Sequence, residues 1–264
     1  MKNAFENVQH QPEEKLTSEE KFKIAKEKHP DPRSFMDKVK HSAQEAAPVQ
    51  DWLEKRAENM VKESGVNEVI GEYGAEEKIK IADIGGGTQH IEKEIIKNNP
   101  GKNVSTVGID LKDYASGAVS GSGERKKIHT VFGSGQELPI KKKSVDVATS
   151  YFTFQELSDE DQEKMLDEMI RIIKDDGKLI IVDEPLRGMT EEGIFARAKN
   201  ILRNVSVSEY NVHSGEEWRD LFEKKGLRIV EKKEFREDGK EVDEENLAQF
   251  FSYIVEKAEK KTEN

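Results

Sequence analysis

Asp83 and the three glycines that follow it, Gly85, Gly86 and Gly87, are the residues of this chain best placed to do chemistry. Ile79, Ile81 and Ile84 are β-formers around the carboxylate, and the glycines then remove every Cβ where a backbone has to turn and let a ligand approach. Ile91, Ile95 and Ile96 continue as the apolar face of a helix whose first amides could face that ligand. A dinucleotide turn of the form G-x-G-x-x-G begun at Gly85 requires Gly or Ala at position 90, and the chain has His90. The expected ligand is therefore of another kind.

A second carboxylate, Asp110, closes Val104 to Leu111 (VSTVGIDL), a predicted strand. An acid at that end of a second strand can accept both hydroxyls of a ribose. A third strand, Lys127 to Phe132, runs into Gly133-Ser134-Gly135-Gln136-Glu137-Leu138-Pro139. A fourth, Ser144 to Ser150 (SVDVATS), leads into Tyr151, Phe152, Thr153, Phe154, Gln155 and Glu156. Glu156 after strand four and Glu184 after strand five fall at the carboxyl edge, where α/β sheets bind ligands, and His213 stands just before the helix cap Ser214. The aromatics Tyr151, Phe152 and Phe154 have core packing as their commoner fate.

In order, these segments resemble class I S-adenosylmethionine-dependent methyltransferases. Asp83, Gly85 and Gly87 match the motif D-x-G-x-G-x-G, with Gln89 at the third glycine. Gly133 to Pro139 is similar to G-D-A-x-x-L-P-F, with Ser134 in place of the acid. Ile173 to Leu179 resembles L-K-P-G-G-x-L, the turn before strand five, with Asp175 and Asp176 in place of Pro and Gly. The resemblance implies an α/β Rossmann-like fold: a seven-stranded, mostly parallel sheet with an antiparallel last strand and helices on both faces. It implies S-adenosyl-L-methionine as cofactor, held by Asp83, Gly85, Gly86, Gly87, Asp110, Leu111, Ser134, Gly135, Gln136, Ser150 and Tyr151.

Methyl transfer from a sulfonium is an in-line displacement, so alignment of the reactants is the main requirement. A general base matters only for an acceptor that is protonated at the working pH. His213, Glu156 and Glu184 are the candidates, and no metal site is expected, because no His and carboxylate cluster is apparent. A small-molecule acceptor is the leading expectation. A nucleic-acid or protein methyltransferase is the enzymatic alternative, although no N-P-P-Y-type tetrad follows strand four, and a non-catalytic cofactor-binding module is the other.

Composition narrows partners and place. Over 264 residues, hydrophobic residues make up only 34% and charged residues 37%, so part of the chain is expected outside the core. A formal net charge of -11 disfavours a nucleic-acid partner. Zero cysteines exclude disulfides and a thiol nucleophile. With no signal-like N-terminus and no span near the ~20 apolar residues of a membrane helix, a cytoplasmic protein is expected; the oligomeric state is left open.

Residues 1–48 read as a charged arm, mobile or acting as a lid, and 49–260 as the methyltransferase-like domain with a helical cap inserted at about 185–213. Leu53, Ala57, Met60 and Val61 predict a helix before strand one. Ser158 with Asp161, and Ser214 with Glu217, predict two further helix starts. Leu227 to Phe235 and Phe250 to Val255 read as strands six and seven.

Overall fold

The computed structural model describes residues 47–111, 128–183, 213–236, 240–242 and 248–258. Seven strands form one sheet: β1 (Lys78–Ile84), β2 (Asn103–Asp110), β3 (Ile128–Phe132), β4 (Val145–Tyr151), β5 (Ile173–Asp183), β6 (Leu227–Phe235) and β7 (Phe250–Lys257). Their spatial order is β3-β2-β1-β4-β5-β7-β6. β1 to β5 pair in parallel, and β7 runs antiparallel to both β5 and β6. The order reverses between β1, which leads outward to β2, and β4, which leads the other way. That switch point is where open α/β sheets leave a crevice at their carboxyl ends.

Five helices cover the sheet among the described residues. One face carries α1 (Ala47–Glu63), α2 (Val66–Gly71) and α3 (His90–Asn98), and the other carries α4 (Asp159–Ile172) and α5 (Gly215–Lys224). The period of two in each strand assigns side chains to the faces. Ile79 and Ile81 join Met60, Ile70 and Ile95 in one core, while Ala82 and Ile84 join Met165, Leu166 and Trp218 in the other. By the same alternation Asp83 in β1, Thr149 in β4 and the bare Gly108 in β2 share the α1–α3 face. Three polar or missing side chains thus meet under the start of α3.

The segment read as a turn before strand five is instead the first part of β5. Val145 pairs with Ile173 and Val147 with Lys178, so the extra residues between them form a bulge carrying the exposed Asp175 and Asp176. Gly177 is needed there: a Cβ would stand 2.9 Å from the Asp146 carbonyl oxygen. The residues 1–46 of the expected arm, nearly all of the expected cap at 185–213, and Glu184 lie outside the described residues. No helix among the described residues is long and apolar enough to cross a membrane.

Candidate active site

The glycine turn is tied to β2 by backbone bonds. The amides of Gly85 and Gly86 donate to the Ile109 carbonyl at 2.8 and 3.3 Å. Gly85 and Gly87 have φ of 83° and 49°, in the left-handed region that side chains disfavour. Gly85 also lacks room, since a Cβ there would press on Thr153, its Cβ and Cγ2 both at 2.9 Å. Thr153 in turn donates to the Ile84 carbonyl at 3.2 Å and follows Phe152, a bulky residue held at φ 59°. Strain of this kind persists only where the surroundings over-determine it, and here it lies at the switch point beside the turn.

Asp110 faces the turn. Its Oδ2 accepts from the Gly87 amide at 2.8 Å and its Oδ1 from the Leu111 amide at 2.7 Å. Two backbone amides thereby orient its carboxylate toward the turn. Next to it, Leu111 and Phe132 are 52% and 56% exposed, an uncommon state for large apolar side chains at two adjacent strand ends.

Gln89, at the position of the third glycine, keeps the backbone state that a glycine would supply, with φ 65°. Its side-chain amide donates to the His129 carbonyl at 3.2 Å and to the Thr130 hydroxyl, so bonds to β3 offset the strain. Helix α3 consequently starts without a side-chain cap.

The segment after β3 is folded onto α4. Glu168 accepts from the Leu138 amide at 2.7 Å, and Arg171 donates to the carbonyls of Leu138 and Ile140 at 2.9 and 2.8 Å. Ser134 donates to the Gln136 side-chain oxygen and accepts from the Gln136 amide, so its hydroxyl is engaged within its own turn. Gly135 lies against the end of β1, where a Cβ would come within 3.3 Å of Ile84.

Other predicted positions lie deeper or elsewhere. Ser150 is fully buried, and the buried Tyr151 hydroxyl bonds Ser64 at 3.0 Å, so neither side chain reaches the crevice from the β4 end. Glu156 is exposed. His213 lies at a cavity of about 350 Å³ beside Asp159, Glu163, Glu217 and Asp220. Its ring packs edge-on to Trp218 at 5.1 Å and its Nε2 meets the side-chain oxygen of Gln162. Phe154 is core, edge-on to the same Trp218 at 5.2 Å.

Three buried groups escaped the sequence reading. Thr149 donates to Asp83 at 2.5 Å, Asp183 accepts from the Gln155 amide at 3.2 Å, and Glu92 is completely buried. Burial outweighs the Thr149 hydrogen bond and, with the charge of Asp110, pushes Asp83 up to about 7. Burial first, then Asp83, hold the Glu92 carboxyl well above the usual carboxylate range. The visible signal for Glu92 was its place three and four residues before Ile95 and Ile96, on the apolar stripe.

Comparison with known proteins agrees with this geometry. Residues 82–181 match the family model described as a methyltransferase domain. This part of the chain is similar to a methyltransferase domain. An uncharacterised Haemophilus influenzae protein is 25% identical over 128 residues, 47% of this chain and 49% of that protein. The chain thus spans about half the length of that curated relative. The mitomycin 7-O-methyltransferase MmcR superposes with a TM-score of 0.60 at 16% identity, covering 90% of this chain and 60% of MmcR. The calicheamicin-biosynthesis methyltransferase CalO1, in its SAH-bound form, gives 0.58 at 15% identity, covering 90% and 61%. At such identities the likeness is one of fold.

Proposed function

We infer that the protein is an S-adenosyl-L-methionine-dependent methyltransferase with a small-molecule acceptor. The observation that carries this reading is the glycine turn facing Asp110, with an uncapped helix behind it and exposed Leu111 and Phe132 beside it. Asp110, oriented by two amides, is the carboxylate placed to accept from ribose hydroxyls, and Leu111 and Phe132 offer apolar surface to a purine. Bound there, S-adenosyl-L-methionine supplies a methyl group on a positively charged sulfur. Gly85 and Thr153 close the turn from the β4 side and exclude water from that end. With its Nε2 donating to Gln162, His213 has Nδ1 as its acceptor nitrogen, which can take a proton from a hydroxyl or amine entering the acidic cavity. The small-molecule reading is supported by the net charge of -11, which opposes a polyanion, and by the named activity of MmcR.

The test is transfer of tritiated methyl from S-adenosylmethionine into a cell extract separated into small molecules, proteins and nucleic acids. Label in the small-molecule fraction is expected. Label confined to protein or nucleic acid would replace the acceptor class, and failure to bind either S-adenosylmethionine or S-adenosylhomocysteine would overturn the reading.

A further inference from the structure

Glu92 is a buried acid without a partner. It shows no exposure, and neither carboxyl oxygen has a hydrogen bond. It fills the space that two glycines leave. A Cβ on Gly86 would stand 2.7 Å from Glu92 Oε1 and 3.3 Å from Asp83 Oδ2, and a Cβ on Gly108 would overlap Glu92 Oε1. Both carboxyls therefore press against the underside of Gly86, in the middle of the turn, with Glu92 coming from α3 and Asp83 from β1. The other groups facing them are Asp110 at the end of β2, Tyr151 in β4 and Lys93 on α3. Tyr151 is un-ionised because burial raises it further above neutrality. Lys93 is the one cation in this set, against three carboxyls.

Resting on the methyltransferase reading, we propose that Asp83 and Glu92 form a buried acid pair beneath the glycine turn that couples binding of the cationic cofactor to release of a proton. Two carboxyls this close in low dielectric do not both ionise, and they titrate as a pair. The Thr149 hydroxyl favours the charged form of Asp83, so Asp83 ionises first while Glu92 keeps its proton. A positive charge arriving on the other side of Gly86 favours that ionisation. The proton leaves Asp83 for solvent, and no bond other than O–H changes. S-adenosylmethionine has a net charge of one positive unit and S-adenosylhomocysteine has none, so the pair favours substrate cofactor over product. The sign follows from an acid raised in the free protein: affinity for S-adenosylmethionine increases with pH through about 7. Glu92 acts through Asp83 and is a positioning residue.

The experiment is calorimetric titration of the full chain with S-adenosylmethionine and with S-adenosylhomocysteine, from pH 6 to 8, in buffers of different ionisation enthalpy. Proton release near pH 7, larger for S-adenosylmethionine, is expected. Glu92→Gln is neutral like the protonated Glu92 it replaces and keeps the release near pH 7, and Asp83→Asn abolishes it. Thermal melting checks that both variants are folded, and the wild-type measurement stands without them. Normal binding without proton release at any pH, or release that persists in Asp83→Asn or vanishes in Glu92→Gln, overturns the inference while the function stands. No binding of either compound at any pH overturns both.

Discussion

Helices α3 and α5 begin in opposite ways. At α5 the local sequence completes its own hydrogen bonding: Ser214 accepts from the Glu217 amide at 3.2 Å, and Glu217 accepts from the Ser214 amide at 2.6 Å. Its inner face, Trp218 and Phe222, is buried among Phe154, Phe251 and Tyr253. At α3 the cap position is a strained Gln89 whose side chain is spent on β3, and the first turn buries His90 and Glu92 with no side-chain partners. Burying Ile95 and Ile96, worth about 1.5 to 3 kcal/mol each, outweighs an unpaired neutral carboxyl at about 1 to 3 kcal/mol. Satisfaction is complete at the start of α5. It is withheld where the helix start faces the glycine turn.

Trp218→Ala should strike the first region hardest. A loss of about 3 to 5 kcal/mol in chemical denaturation is expected, with S-adenosylhomocysteine affinity of the folded protein within about twofold of wild type. A comparable loss of affinity would show that the two regions are coupled. Glu92→Met should move the other way, stabilising the protein by about 1 to 3 kcal/mol, because an unpaired buried carboxyl gives way to an apolar group of similar size. If this variant is destabilised, Glu92 is a structural partner and the contrast with α5 fails.

Smaller effects sharpen the same contrast. Ser214→Ala removes the α5 cap and should cost about 0.5 to 2 kcal/mol in thermal or chemical unfolding, leaving cofactor affinity alone. Gln89→Gly relieves left-handed strain of about 1 to 2 kcal/mol and gives up a hydrogen-bonded amide worth about 0.5 to 1.5 kcal/mol. Its net stability change should therefore stay within about 1 kcal/mol, and a larger loss would make the Gln89 bonds to β3 the main support of the turn.

The fold was legible because its signals are local. Isoleucine runs broken by glycine marked β1, and the Ser158 and Ser214 caps marked α4 and α5. The same locality misled at Ile173 to Leu179: a family-like turn was expected, but strand pairing across a bulge draws those residues into β5. The glycine turn and Asp110 were visible because both sit at strand ends. For Glu92 the apolar stripe signals only the buried face; the room for its carboxyl comes from the bare Gly86 in the turn and Gly108 in β2, and that complementarity is tertiary. The burial of the Tyr151 side chain was not legible for a related reason. The strand alternation turns its ring toward Ser64 and the α1–α3 core, which a family motif alone does not reveal.

The central claim is that Asp110, oriented by the amides of Gly87 and Leu111, holds the ribose of the cofactor across the glycine turn. Calorimetric titration of wild type and Asp110→Ala with S-adenosylhomocysteine tests it most directly, because the ligand's neutrality removes the buried acid pair from the comparison. Loss of charge-assisted hydrogen bonds should weaken binding by about 1.5 to 3 kcal/mol, roughly 10- to 150-fold, with the melting temperature of the free protein little changed. Equal affinity in a folded Asp110→Ala variant would contradict the account.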